Sequence, residues 1–187
     1  MSAARTRSAE GAPTSTARFR IGFARPADVE ELHGLIRGLA DYERLSARCV
    51  STPADIHEAL FGTHPAAEAL IARENANPAP AAGFALFFHT FSTFTGRRSL
   101  WLEDLFVRPD LRGAGLGRAL LMRLAALAQA RGCARFEWAV LDWNVSAIGF
   151  YERLGAVIQP DWRIARVAGD ALADLAARHS TGGGEAP

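Results

Sequence analysis

A charge imbalance is the first thing this sequence lacks: 21 basic side chains meet 20 acidic ones, for a formal net charge of +1 at neutral pH. Such a balance leaves no electrostatic footprint for nucleic acid or a membrane surface, so any selectivity for charge has to be local. Cysteine is scarce as well. Cys49 and Cys133 stand without metal or redox spacing, which excludes a disulfide framework and suits a reducing, cytoplasmic compartment. The histidines His33, His57, His64, His89 and His179 form no ligand pattern, so no metal is expected. No apolar run approaches a membrane span, and no internal repeat is visible. What remains is a chain of 187 residues, 49% hydrophobic and 22% charged, the composition of a soluble globular protein with one domain.

The ends of the chain are thin in apolar residues. Residues 1–17, rich in Ser, Thr, Ala and Gly, are expected to be a disordered tail, and the Arg178 to Pro187 stretch with Gly182-Gly183-Gly184 a flexible one. Arg5 and Arg7 suggest a transit peptide only faintly, against Glu10 and the missing amphipathic face. Between the tails, residues 18–177 form the expected domain. Phe19 to Ala24 reads as a strand. Pro26 opens a helix whose Val29, Leu32, Leu35, Ile36 and Leu39 share a face and which ends near Tyr42-Glu43. Thr52-Pro53 caps and starts a second helix closed by Gly62. Ala69 to Arg73, Ala82 to Phe91 and Ser99 to Val107 read as strands of an antiparallel meander, with turns at Asn75 to Pro80 and Thr95 to Arg97. A Leu116 to Arg131 helix, an Arg135 to Leu141 strand, a Ser146 to Leu154 helix and a strand around Trp162 to Val167 complete an α/β layer structure.

Chemistry concentrates between Leu102 and Gly117, LEDLFVRPDLRGAGLG. Arg112-Gly113-Ala114-Gly115-Leu116-Gly117 removes side chains where backbone N–H groups approach an anion, and the helix beginning there, from Leu116 through Arg118 onward, points its positive dipole end into the turn. The other reading is a tight strand-to-helix loop. The turn is neither a Walker loop, since no Lys-Ser or Lys-Thr comes after it, nor a dinucleotide fingerprint. Just before it, Glu103 and Asp104 interrupt the apolar run Trp101, Leu102, Leu105, Phe106 and Val107. Carboxylates in such a run are either paired at a sheet end or kept there for a task.

Arg112-x-x-Gly115-x-Gly117, with Asp142-Trp143-Asn144 and Phe150-Tyr151-Glu152-Arg153-Leu154-Gly155-Ala156, resembles the two cofactor segments of the GNAT superfamily of N-acetyltransferases. The chain is most similar to the diamine (spermidine/spermine) branch. That likeness runs from about Ile21 to Val167 and includes Leu39-Ala40-Asp41-Tyr42-Glu43, Phe61-Gly62-Thr63-His64-Pro65, Gly83 to Phe88, Leu102-Glu103-Asp104 and Trp162-Arg163. The resemblance implies the GNAT fold, a mixed and mostly antiparallel sheet flanked by helices, whose strands near Glu103 and Val140 splay to receive acetyl-CoA. It also implies a homodimer.

Acetyl transfer from a thioester to an amine needs a pyrophosphate cradle, carbonyl polarisation, a base for the amine and a proton for the leaving thiolate. A lysine-like amine titrates near ~10.4, so roughly one molecule in a few thousand is neutral at pH 7 and able to attack. The resemblance assigns Glu103 as base, supported by Asp104, and Tyr151 as the phenol that meets the thiolate. The opposing reading has both acids only binding the substrate's charge. Backbone N–H groups of Leu105, Phe106 and Val107 are the candidates for polarising the carbonyl. Arg112 to Arg118, Asn144, Ala147 and Tyr151 complete the expected cofactor contacts. Tyr42, Glu43, Glu103, Asp104 and Trp162 are the expected acceptor contacts.

The sequence also departs from the diamine branch. Ser46-Ala47-Arg48 and Ser92-Thr93-Phe94 replace acids and an Asp-Pro-Trp turn, while Asp161 beside Trp162 compensates in part. A small diamine, a polyamine or a thialysine-like amino acid is thus the expected acceptor. A regulatory module that only binds acetyl-CoA, or an enzyme acetylating protein amines, is the alternative.

Overall fold

The computed structural model describes residues 14–15, 18–76 and 79–181. Its chain falls into two compact units, one through Ala139 and one from Val140 onward. The first unit is built on a six-stranded sheet whose spatial order is that of the chain: β1 (Thr14–Ser15), β2 (Phe19–Phe23), β3 (Glu68–Glu74), β4 (Ala81–Ser92), β5 (Arg97–Val107) and β6 (Arg135–Trp138). Every neighbouring pair is antiparallel except β5 with β6. The mixed, mostly antiparallel sheet expected from the sequence is therefore present.

Helices cover the sheet on both sides. After a 3₁₀ turn at Pro26–Asp28, α1 (Val29–Tyr42) places Leu32, Leu35 and Leu39 with Leu60 of α2 (Pro53–Phe61) against Ala69, Ile71, Phe84 and Phe106 of the strands. Burying side chains of this size contributes roughly 1.5–3 kcal/mol each. Strand alternation sends Leu70, Ala72, Ala85 and Phe87 to the opposite face, the side of α3 (Leu116–Ala130), whose Leu116, Leu120 and Leu124 are buried. The Thr52 cap read from sequence is a full capping box: Thr52 Oγ1 accepts the Asp55 N–H at 3.2 Å, and the Asp55 carboxylate accepts the Thr52 N–H at 2.8 Å. Two ion-pair clamps tie helix ends to the sheet. Arg73 of β3 meets Asp28 at 2.7 Å and also Glu31, whose carboxyl it holds below the usual range, chiefly by hydrogen bonding. Arg131, at the end of α3, forks onto Glu68 at 2.5 and 2.8 Å.

Several expectations are corrected. The strand expected over Arg135 to Leu141 stops at Trp138, where its ladder with β5 ends. In the second unit, α4 (Val145–Glu152) matches the expected helix, but the strand expected around Trp162 to Val167 is absent. Trp162 and Ile164 are instead exposed, so the apolar residues there lack the covered face that a strand needs. A helix not expected from the sequence, α5 (Asp170–Thr181), comes next, with Asp170 in its first turn and Arg178 and His179 in its last, each suited to the helix dipole. The tail expected from Arg178 is thus helical as far as Thr181, and 182–187 lie outside the described residues. At the other end Thr14–Ser15 pairs with Arg20 and Ile21 in place of the expected disorder, while 1–13 and 16–17 lie outside the described residues. The turn expected over Asn75 to Pro80 includes Asn77 and Pro78, also outside them. Cys49 and Cys133 are free thiols, and no described helix is long and apolar enough to cross a membrane.

The C-terminus of α1 is closed by its own backbone. Leu45 N–H bonds the Ala40 carbonyl at 2.8 Å and Arg44 N–H the Asp41 carbonyl at 3.1 Å, the two bonds of a Schellman turn. Its left-handed position is held by Arg44, at φ 60°, where glycine is the usual occupant. Arg44→Gly should therefore stabilise the protein by about 0.5–1 kcal/mol, the relieved strain being partly offset by the freer unfolded chain. A urea midpoint lower than that of the parent protein would show that this turn is not strained.

Candidate active site

The site of the first unit is laid out by one irregularity in the β4–β5 ladder. Leu86 faces Asp104 and Phe87 faces Leu102, which leaves Glu103 as an extra residue, a β-bulge. Without it, Asp104 would share the face of Leu100 and Leu102. With it, Asp104 and Phe106 lie on the face covered by α1. Glu103, at the bulge, is exposed and accepts the Trp101 indole N–H at 2.9 Å.

Asp104 is recessed between carboxylates. Burial, the Glu103 charge and the Glu43 charge together push its carboxyl up to about 6. Glu43, the residue that ends α1, is itself raised by burial. Three acids expected at the acceptor side, Glu43, Glu103 and Asp104, are thus brought together by α1 and the bulge. Burial and like charge both disfavour ionisation.

Beyond Leu102 and Trp138 the β5–β6 ladder ends, while β5 runs on to Val107. Alternation along this open edge separates the three backbone groups expected to polarise a carbonyl. Phe106 turns its carbonyl oxygen toward β4, 2.5 Å from where a Gly83 Cβ would stand, whereas the Val107 oxygen accepts Arg112 Nε at 3.1 Å from the other side. Leu105 and Val107 therefore present their main-chain groups to the open edge and Phe106 does not.

The glycine turn lies directly after β5. Gly113 at φ 78° and Gly115 at φ 82° occupy left-handed positions, and a Cβ on either would meet nothing within 4 Å. The empty space in front of Gly115 is open to a ligand. Gly115 is the N-cap of α3 and has no side chain to cap it, so the N–H groups of Leu116, Gly117 and Arg118 keep their donor capacity at the positive end of a 15-residue helix. These residues fit a pyrophosphate. Gly117 is in ordinary contact with Val107 Cγ2, at 3.9 Å from a built Cβ, so packing alone does not demand glycine there.

Arg112 is expected to face the anion, but its side chain is occupied otherwise. Its guanidinium carbon stands 4.4 Å from the Tyr42 ring centroid and 5.6 Å from that of Phe106. Sequence reasoning misses Phe106 as a side chain of the site, along with Gly38, where a Cβ would come within 3.1 Å of the Phe106 ring. The available signal is a glycine in the interior of a strong helix, a choice that costs about 1 kcal/mol relative to alanine and calls for a packing reason.

In the second unit, Asn144 is the N-cap of α4: its Oδ1 accepts the Ala147 N–H at 3.3 Å and the Ser146 hydroxyl at 3.2 Å. Tyr151 lies about two turns further along, its ring 5.4 Å from Phe150. Trp162 is 80% exposed. Among the described residues, no group of three or more His, Cys, Asp and Glu side chains is placed to hold a metal ion.

Comparison with known proteins matches these features to a family. Residues 36–156 match the acetyltransferase (GNAT) family, a span that contains the bulge, the glycine turn and α4. The chain is 35% identical to a thialysine N-epsilon-acetyltransferase of Mus musculus over 87% of its length and 99% of that protein. It is 32% identical to an L-ornithine N5-acetyltransferase of Arabidopsis thaliana, covering 87% and 90%. Its fold is similar to the solved structure of an integron cassette protein from the mobile metagenome of V. cholerae, with a TM-score of 0.71 and 25% identity over 84% of this chain and 97% of that one. The open edge of β5, the uncapped helix behind two left-handed glycines and the family match lead to one conclusion: the chain belongs to the GNAT family of acetyltransferases.

Proposed function

We propose that this protein moves the acetyl group of acetyl-CoA directly to a primary amine of a compact acceptor that carries a second cation, a short diamine or a lysine-like amino acid such as thialysine. The observation that carries this reading is the convergence of Glu43, Glu103 and Asp104, with the Asp104 carboxyl raised to about 6. Such a cluster attracts a cationic amine and contains one member whose proton affinity is matched to neutral pH. Acetyl-CoA supplies the activated acyl group. The chain supplies the backbone donors of the α3 N-terminus for its pyrophosphate and those of Leu105 and Val107 for the developing oxyanion. Glu103, exposed at the bulge, meets the incoming ammonium, and Asp104 takes its proton. Tyr151 donates to the departing thiolate, and Asn144 and Ala147 set the start of the helix that carries it. Relatives acting on thialysine and ornithine, amino acids with a terminal side-chain amine, support the acceptor class. We also propose a homodimer, supported by exposed Trp162, Ile164, Leu172 and Leu175.

The division of labour between the two acids has a pH signature. Asp104 accepts a proton only when ionised, so kcat/KM should rise through about pH 6 in the parent enzyme. Asp104→Asn should abolish that limb. Glu103→Gln should keep it but move it to lower pH, because a like charge beside Asp104 has been removed. The opposite pattern, with the limb lost in Glu103→Gln and kept in Asp104→Asn, would make Glu103 the base. Stability should change in parallel. An aspartate whose folded pKa lies above its unfolded value of about 3.9 binds its proton better in the native state, so ionising it costs stability from about pH 4 upward, and the cost is complete above 6. Asp104→Asn should therefore be about 3 kcal/mol more stable than the parent at pH 7.5 and show no such gain near pH 4. Equal gains at both values would mean that charge is not the cause.

Acceptor choice is tested with purified protein, acetyl-CoA and a panel of amines, read by thiol release. The chain contains no lysine, all 21 basic side chains being arginine, so its own side chains offer no competing amine. Short diamines and lysine-like amines should give higher kcat/KM than spermine, and Glu43→Gln should raise their KM several-fold, most at low salt where screening is weakest. Spermine ranking first, or monoamines equalling diamines, would overturn the acceptor assignment. Tyr151→Phe should lower kcat at saturating substrate while leaving coenzyme A affinity in place, since charge on the thiolate develops only as the bond breaks. An unchanged kcat would remove Tyr151 from the thiolate.

A further inference from the structure

Arg112 joins three elements that serve different parts of the reaction. It opens the glycine turn. Its Nε is held by the Val107 carbonyl at 3.1 Å, on the open edge of β5. Its guanidinium carbon lies over the ring of Tyr42, 4.4 Å from the centroid, and near that of Phe106, at 5.6 Å. Tyr42 is the last residue of α1 and precedes Glu43, whose charge acts on Asp104. The Phe106 ring is seated against α1 at Gly38, where no Cβ fits without displacing it. The wall that carries Glu43 and the turn that fits pyrophosphate are therefore linked through one guanidinium.

We infer that Arg112 is a positioning residue that couples the two substrates: through its stack on Tyr42 and its bond to Val107, the glycine turn and the Glu43 end of α1 adopt their binding geometry together. This rests on the proposed acetyl-transfer function. A residue that merely supplied positive charge at the turn would keep its side chain free for the anion and would be replaceable by lysine. The forked guanidinium makes the ring contact and the Nε bond at once, whereas the single ammonium of a lysine can make one or the other. Binding of coenzyme A should then strengthen binding of the acceptor, and the reverse by the same factor.

The test is calorimetric titration of the full chain with coenzyme A, which has no acetyl group and gives no turnover, with and without saturating acceptor, either L-thialysine or 1,3-diaminopropane, whichever ranks first in the amine panel. In the parent protein the acceptor should tighten coenzyme A binding by about fivefold. Arg112→Lys and Tyr42→Leu should each bring that factor close to one, and the double variant should go no further. Tyr42→Phe, which keeps the ring, should retain the factor. Tyr42 is 40% exposed, so its replacement leaves the core intact, and a thermal unfolding curve checks this for each variant. Arg112→Lys retaining the parent factor would reduce Arg112 to a charge and overturn the inference. So would Tyr42→Leu leaving the factor unchanged, or a parent enzyme that turns over and binds the two substrates independently. A parent protein that binds no coenzyme A overturns the acetyl-transfer function itself, and the inference with it.

Discussion

One extra residue in β5 decides the arrangement of the first unit. Strand side chains alternate, so inserting Glu103 between Leu102 and Asp104 turns every later side chain of the strand to the other face. Upstream of the bulge, Leu100 and Leu102 are core residues. Downstream, Phe106 becomes the platform on which Gly38 and Arg112 rest, and Asp104 is carried into the neighbourhood of Glu43. The open edge begins at the same point, because β6 accompanies β5 only as far as Trp138 and leaves the backbone groups of Leu105 and Val107 that face away from β4 without a strand on that edge. A recessed carboxylate and an unpaired stretch of strand edge thus stand side by side at one departure from regular pairing.

That arrangement works against stability. Asp104 sits where burial and two like charges disfavour its ionised form, Glu43 is partly desolvated as well, and Arg44 holds a backbone conformation that suits glycine. Strain and unfavourable charge are concentrated within a few residues of the site. The rest of the unit obeys ordinary rules: Leu32, Leu35 and Leu39 pack on one face, Leu120 and Leu124 on the other, and helix ends are tied down by Arg73 and Arg131. Concentrating the cost in a small region is tolerable because these distributed contacts are individually modest but numerous.

The same division separates what is legible in the sequence from what is not. Where local pattern and tertiary context agree, residue type and spacing suffice: the apolar stripe of α1, the Thr52 cap, the antiparallel strands up to Val107 and the left-handed glycines ahead of α3 are all written there. Two acids inside an apolar strand mark the site itself. Which of them is recessed is not legible, because the bulge moves one residue out of register and leaves no signature in composition. Trp162 to Val167 misleads for the complementary reason. Its apolar Trp162, Ile164 and Val167 suit a strand, but residue type cannot supply a neighbouring strand to pair with. Arg112 is legible as a residue and not as a role, since the stack on Tyr42 joins positions far apart in the chain.

Under the proposed acetyl transfer, the raised proton affinity of Asp104 bears directly on how an amine is made reactive. Passing a proton from an ordinary lysine-like ammonium, near ~10.4, to an ordinary aspartate, near ~3.9, is uphill by about 9 kcal/mol. With Asp104 at about 6, the same transfer is uphill by about 6 kcal/mol. The remainder is reduced by the acceptor's own burial, since removing water destabilises the ammonium as it destabilises the carboxylate. Desolvation therefore acts on both partners in the same direction, toward a neutral acid beside a neutral amine. A second cation on the acceptor opposes this only if it reaches Asp104. In the proposed function Glu43, at the end of α1 and beside the Arg112–Tyr42 contact, holds that cation instead and anchors the molecule while the other amine gives up its proton. A compact acceptor with two separated amines satisfies both demands, and a monoamine satisfies only one.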